Sequence, residues 1–367
     1  MRQSIRSWYV ALVAGLLVLP QPRAAAGTIT LPFEQDKDHR IYVEGRINQS
    51  GPLRFLVDTG ADGLAVTVAT RKAASMQVDD RSENTGSDGV SFVDYSTHNT
   101  VVVGDMRRTM GAAVIDYGKR PFDAVLGWTF FAGRIIEIDY DRKLLRVHDR
   151  LPDLHGYTRA NVRWIDNTPA IEVLLREGGS TLAAWLFVDT GSNGAIDLGH
   201  AYSSRHRLQE VFTRTIGISQ FSGSAGRKIR AVDARIASVD VGGLRLEQPK
   251  VSFTIDEDGS NADGTLGSET LRNFNILLDT RTGQLHLRPN GNARAAGLAL
   301  QRPPLDAAAA GSAGRADPSR VCARWVSQGC VHRRSASTIT PVAISTSRYS
   351  VSLWRTQRWP RPGSRSL

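Results

Sequence analysis

Phe55-Leu56-Val57-Asp58-Thr59-Gly60-Ala61-Asp62 has a counterpart 131 residues later in Leu186-Phe187-Val188-Asp189-Thr190-Gly191-Ser192. In each copy an apolar run of strand character ends on Asp-Thr-Gly, a tripeptide that turns the chain sharply. A single Asp-Thr-Gly can be no more than an Asx-type turn closing a strand. The two copies here share more than the tripeptide. Ala124-Val125-Leu126-Gly127 lies 69 residues after Asp58 by its glycine, and Gly264-Thr265-Leu266-Gly267 lies 78 after Asp189. Twelve residues beyond each of those glycines stands another aspartate, Asp139 or Asp279, at the end of an apolar segment. A repeat of this period predicts two copies of one β-unit, joined near 151–157.

The surrounding sequence supports strands over helices. Residues 41–47 alternate, 48–51 are turn-formers, and 53–57 run into Asp58; 170–175, 177–179 and 183–188 repeat that plan before Asp189. Further strand-to-turn units are expected at 101–105 and 236–243. Only short helices are expected, after Gly127, after Gly267 and near 201–211. The 34 glycines fit a turn-rich, all-β chain.

These residues resemble the aspartic peptidases. Val57 to Asp62 is similar to a retroviral-protease active-site loop, and Asp189 to Ser192 is closer to the pepsin form. The resemblance covers roughly residues 30–290. It implies an all-β fold of two homologous retropepsin-like β-barrel lobes, related by a pseudo-twofold axis, with the active site in the cleft between them. The lobes are expected at 27–150 and 151–290. Because both loops lie in one chain, the resemblance implies a monomer.

It also implies roles. Asp58 and Asp189 are the expected catalytic pair, with no metal and no cofactor. Peptide hydrolysis without metal or covalent intermediate needs one group to deprotonate water and another to protonate or polarise the carbonyl. Two carboxyls about 3 Å apart cannot both ionise, so one pair supplies both roles. Thr59 and Thr190 are expected to cross-link the loops, and Gly60 and Gly191 to allow close backbone approach. Leu126-Gly127 and Leu266-Gly267 are expected to pack behind the loops. Ala61 cannot hydrogen-bond a carboxylate through its side chain, whereas Ser192 can. Two glycine-bearing stretches could cover the cleft as flaps: 84–95, with Gly86 and Gly89, and 221–230, with Gly223 and Gly226. Either could equally be a plain surface turn.

Charge does not redirect this reading. The net charge is +10, but residues 301–367 hold eleven Arg against Asp306 and Asp317, and residues 1–26 hold Arg2, Arg6 and Arg23 without an acid. The remaining 27–300 is near neutral, so no nucleic-acid partner is inferred. Residues 1–26 read as a secretory signal: two arginines, an apolar run from Trp8 to Leu19, and Ala24-Ala25-Ala26 before Gly27. The expectation is a periplasmic or secreted protein with no membrane span after cleavage. Residues 291–367 read as a disordered, Arg-rich tail.

Other chemistries lack their residues. The two cysteines, Cys322 and Cys330, give no disulfide framework and no four-ligand zinc set. No His-Glu-x-x-His, Gly-x-Ser-x-Gly or Gly-rich phosphate loop is present. The acidic run 256–263 departs from the calcium-loop pattern at Asn261 and reads as an acidic turn. Three functions follow. The first is an aspartic endopeptidase acting on a peptide or protein substrate. The second is a non-catalytic peptide- or protein-binding module on the same fold. The third is a carboxylate-pair glycosidase, whose carboxyls would stand about 5–9.5 Å apart.

Overall fold

The computed structural model describes residues 27–300, without the side chains of Ala299 and Leu300. The expected signal segment and residues 301–367 of the expected tail lie outside the described residues. The described chain is built on strands in three sheets, with only short helical turns between them. None of its helices is long and apolar enough to cross a membrane.

An eight-stranded sheet gathers the strands between Glu34 and Gly127, and an eleven-stranded sheet gathers those from Val162 onward that are not shared. At the heart of each lies the same weave. In the first lobe Leu53–Asp58 runs parallel to Ala124–Gly127, with Asp58 opposite Gly127, and Leu64–Thr67 runs antiparallel to that second strand. In the second lobe Ser180–Val188 runs parallel to Gly264–Leu266, which pairs antiparallel with Ile196–Leu198. A strand flanked on both faces must be apolar along its whole length rather than alternate. Phe55, Leu56, Val57 and Asp58 are accordingly all buried, as are Leu186, Phe187, Val188 and Asp189. The Leu-Gly segments thus lie beside their Asp-Thr-Gly strands.

The third sheet belongs to both halves. Its order places Thr28–Pro32, Leu144–His148 and Ile135–Asp139 next to Phe274–Asp279, Gln284–Pro289 and Thr158–Arg159. The join is antiparallel, with Ile136 opposite Leu278 and Glu137 opposite Leu277. Ile136, Ile138, Leu145, Val147, Ile276, Leu278, Leu285 and Leu287 belong to the one large core that also holds the cores of both lobes. The aspartates repeated at equal offset, Asp139 and Asp279, end these strands. Their carboxylates accept the amides of Arg142 (3.1 Å) and Arg281 (3.0 Å) in the following turns. Arg142, Arg146 and Arg281 pair with them, and the two carboxyls are held below the usual carboxylate range against the opposing effect of burial. Their repetition serves the turns of the shared sheet.

Short helical turns follow Gly127 (Trp128–Phe131) and Gly267 (Ser268–Leu271), and two lie at His200–Arg205 and Leu208–Val211. A further one, Val68–Ala73, is capped by Thr67, whose Oγ1 accepts the Thr70 amide at 3.1 Å. Past residue 290 the chain continues as a helical turn, Gly291–Ala295, and then Ala299–Leu300, which pairs with Leu244–Glu247. The first ten residues of the expected tail are therefore structured. Asn290 starts this turn: its side chain accepts the amides of Asn292 and Ala293, and Ala293 is buried in the main core.

Candidate active site

The two Asp-Thr-Gly loops meet where the lobes face each other. Each threonine reaches across to the opposite loop. Thr59 Oγ1 donates to the Val188 carbonyl (2.6 Å) and accepts the Thr190 amide (3.2 Å). Thr190 Oγ1 donates to the Val57 carbonyl (2.8 Å) and accepts the Thr59 amide (3.1 Å). Both threonines are buried, so these four bonds are made away from water, where an unmade bond is costly. A hydroxyl is the group that can do this, because it donates and accepts at once.

The cross-link sets the loops so close that each glycine lies against the opposite carboxyl. A Cβ on Gly60 would stand 2.6 Å from Asp189 Cγ, and one on Gly191 would overlap the Asp58 carboxylate. Only a residue without a side chain fits either position.

Asp58 is 1% exposed and Asp189 is fully buried. Each carboxylate is oriented by its own loop: Asp58 Oδ1 accepts the Gly60 amide at 2.8 Å, and Asp189 Oδ1 accepts the amides of Gly191 and Ser192, both at 2.8 Å. Asp58 Oδ2 receives no such donor. Burial, followed by the charge of Asp189 and a hydrogen shared with it, pushes the Asp58 pKa well above the usual carboxylate range, against the pull of the Gly60 and Ala61 amides. The pair is thus arranged to hold one proton and one negative charge between two carboxyls.

Ser192 differs from expectation in one detail. It is the Ser192 amide that donates to Asp189, while the Ser192 hydroxyl accepts the Gly194 amide (3.2 Å). Both loops can therefore satisfy a carboxylate through the backbone, so alanine at 61 loses little. Behind the loops, the Trp128 amide donates to the Ala61 carbonyl (3.0 Å) and the Ser268 amide to the Ser192 carbonyl (2.8 Å). The helical turns after Gly127 and Gly267 thereby fix the loops from the rear.

The two glycine-bearing stretches are hairpin tips, and they touch. Gly86 and Gly89 face each other at the end of the Asp80–Gly86 and Gly89–Val103 strands. Gly223 and Gly226 lie in the 222–228 connection between Thr215–Phe221 and Ile229–Arg235. Asp88, at the first tip, is fully buried, and its carboxylate accepts the amides of Ala225 (3.0 Å) and Arg227 (2.7 Å) from the second. Ser224 donates to Asn84 Oδ1 at 3.1 Å. Close approach again needs glycine: a Cβ on Gly223 would sit 2.5 Å from Asp88 Oδ1. Burial raises the Asp88 pKa despite its backbone donors.

Asp88 gave no signal in the sequence beyond an acid in a turn. Tyr117 gave none either. It is buried beside Phe122 and packs in a small cluster with Ala61 and Leu56, its hydroxyl without a partner. Burial raises its pKa first of all, against the pull of the Arg120 charge, and the charges of Asp58 and Asp88 add to the rise. The acidic run 256–263 is an acidic turn, with Asp256 paired to Arg230 and Asp263 to Arg205. Among the described residues no group of three or more His, Cys, Asp or Glu is placed to hold a metal.

The sequence profile of the family described as aspartyl protease matches residues 43–130. That span contains the Asp58 loop, the hairpin tip at 86–89 and the Ala124–Gly127 strand. A search of curated proteins finds no match. The family match over that span, and an all-β fold that repeats the matched loop, support an aspartic peptidase of the retropepsin-like type.

Proposed function

We propose that this protein is an aspartic-type endopeptidase that works as a single chain, with Asp58 and Asp189 as its catalytic pair. The observation that carries the reading is the reciprocal threonine cross-link, which holds two buried carboxyls against each other's loop. A water held between the carboxyls gives its proton to the ionised one as its oxygen attacks the peptide carbonyl. The protonated one donates to the carbonyl oxygen, giving a gem-diol. As the C–N bond breaks, the first carboxyl passes the proton it took from water to the leaving amine, and the second takes one back from a gem-diol hydroxyl, so the pair again holds one proton and one charge. The pair acts as one unit, so neither role is fixed to one residue. The role proposed for the flap tips, with Gly86, Gly89, Gly223 and Gly226, is to close over an extended peptide, the substrate class that the family implies. The first 26 residues support a periplasmic or secreted location.

The test is cleavage of a denatured protein mixture by the purified chain, read by mass spectrometry with a chelator present throughout. New peptide termini should accumulate with time and the chelator should leave their rate unchanged. A chain that binds peptides and cleaves none would be a binding module on this fold.

A further inference from the structure

The two hairpins that meet at their tips carry apolar side chains on their outer faces. In the first, Val93 and Tyr95 turn inward, onto the small cluster that holds Ala61. Alternate residues of a strand point to opposite faces. Val90 and Phe92 therefore turn outward, and they are 54% and 56% exposed. Glu83 stands opposite Phe92 in the hairpin, and Asp94 follows Phe92 on the same face. In the second hairpin Phe221 is buried, and the Ser219 hydroxyl donates to the Asp233 carboxylate at 2.7 Å. Ile218 points the other way and is 71% exposed; Ile216, in the bulge before Gly217, is 53% exposed. These four are the majority of the six large apolar side chains exposed among the described residues. Asp80–Gly86 and Thr215–Phe221 are the outermost strands of their sheets, so each hairpin has one side that no strand covers.

The charges around these apolar residues are opposite in sign. Residues 80–94 carry Asp80, Glu83, Asp88 and Asp94 against Arg81, a net −3, and residues 215–235 carry Arg227, Lys228, Arg230 and Arg235 against Asp233, a net +3. The joint between the tips within the chain is made by Asp88 and Ser224. Among the described residues Glu83, Asp94, Arg227 and Lys228 form no ion pair. An apolar patch beside charge of one sign is complementary to an apolar patch beside the other, and this chain presents both. Because the tips meet, the two outer faces lie side by side. A half-turn about an axis across the joined tips then lays each hairpin of one copy on the opposite hairpin of another, so the contact is made twice. We infer that these faces are a self-association surface, on which the 80–94 hairpin of one copy packs against the 215–235 hairpin of a second. The pair covers Phe92 with Ile216 and Ile218 and turns Glu83 and Asp94 towards Arg227 and Lys228. Stacking like hairpin on like would bring charges of one sign together, which selects the crossed arrangement. Each dyad stays within its own chain, so the inference is independent of the peptidase reading.

The experiment is sedimentation velocity of the full-length Asp58→Asn protein, in which self-cleavage is suppressed. A monomer–dimer equilibrium should appear with a dissociation constant of about 10–100 µM, the class of a small interface and far above the concentrations of a rate assay. Phe92→Ser and Ile218→Ser, placed singly in that protein, should each weaken it about tenfold, because each removes an apolar contact twice per dimer. Both side chains are more than half exposed, so both variants should fold as the parent does. An equimolar mixture of the two variants should recover about threefold of the loss, since the mixed dimer keeps one of its two contacts whole. Added salt should loosen the pair by screening its charges. A chain that stays monomeric, or a dimer that neither serine weakens, would overturn the inference. Weakening by both serines with no recovery on mixing would overturn the crossed arrangement, and a dimer that salt tightens would contradict the role given to the charges. A monomer that sediments with phosphatidylglycerol vesicles, and ceases to with Ile218→Ser, would give the surface to a lipid instead.

Discussion

Asp58→Asn and Asp189→Asn should each lower the rate of peptide cleavage by about 10³-fold or more, the scale of a lost general acid or base. Each variant leaves one carboxyl, which cannot be both ionised and protonated in the same turnover. The double variant should be no slower than the slower single one, because residues acting as a unit are not additive. Stability should move the other way. Burial and the charge of Asp189 raise the pKa of Asp58 in the folded chain. A carboxyl with a raised folded pKa is harmless below its unfolded value and costs stability as pH rises through its folded value. Asp58→Asn should therefore match the wild type in melting temperature in acid and exceed it near neutrality. Wild-type rates in either single variant, measured on one peptide at saturating and limiting concentration, would sink the paired-carboxyl account. A neutral-pH melting temperature well below wild type would contradict the electrostatic part.

Thr190→Val should be costly in a different way. Valine keeps the shape of threonine but can neither donate to the Val57 carbonyl nor accept the Thr59 amide, bonds of 2.8 and 3.1 Å. Both partners are left in the buried join between the loops. At about 1–3 kcal/mol for each of the two buried groups left without a partner, the loss is roughly 2–6 kcal/mol. For a chain of this size that is a fall in melting temperature of roughly 5–10 °C. Activity should fall about 10²-fold even where the variant is fully folded, because the loops no longer fix the carboxyls relative to each other and small misplacements are expensive. Calorimetry and kcat/KM on the same preparation check both. A melting temperature within about 1 °C of wild type would show that the cross-link is not what holds the lobes at the site.

Much of this site could be read in the sequence because it is written locally and twice. Asp58-Thr59-Gly60 and Asp189-Thr190-Gly191 each end an unbroken apolar run, and both runs are buried on both faces. What joins the halves was less visible. The residues 135–139 and 275–279 read as apolar segments ending on aspartate, but pairing between distant strands leaves no periodic mark on either one. The shared sheet emerges only when Ile136 is found opposite Leu278. The same holds for the two hairpin tips. Their glycines signalled turns, whereas the contact between tips depends on Asp88 accepting amides 137 and 139 residues away. An acid in a glycine-rich turn has too many local uses for its sequence to reveal a distant one. The structured start of the expected tail did leave a signal in Asn290, a good helix cap ahead of 291–295. Alanines and arginines just after it resemble the composition of the residues beyond 300, which is why 291–300 read as part of the tail.

In the proposed enzyme one chain holds two carboxyls that act as a single proton-sharing pair on water. The most direct measurement is kcat/KM of the wild type across the acid and neutral range, with chelator present and at two enzyme concentrations well apart. A shared pair predicts a bell-shaped profile with two macroscopic titrations, the upper one displaced above the ordinary carboxylate range in keeping with Asp58. Activity per mole should be the same at both concentrations and indifferent to the chelator. A profile with one titration that rises to a neutral plateau, a rate that collapses on dilution, or loss of cleavage with the chelator would contradict the account.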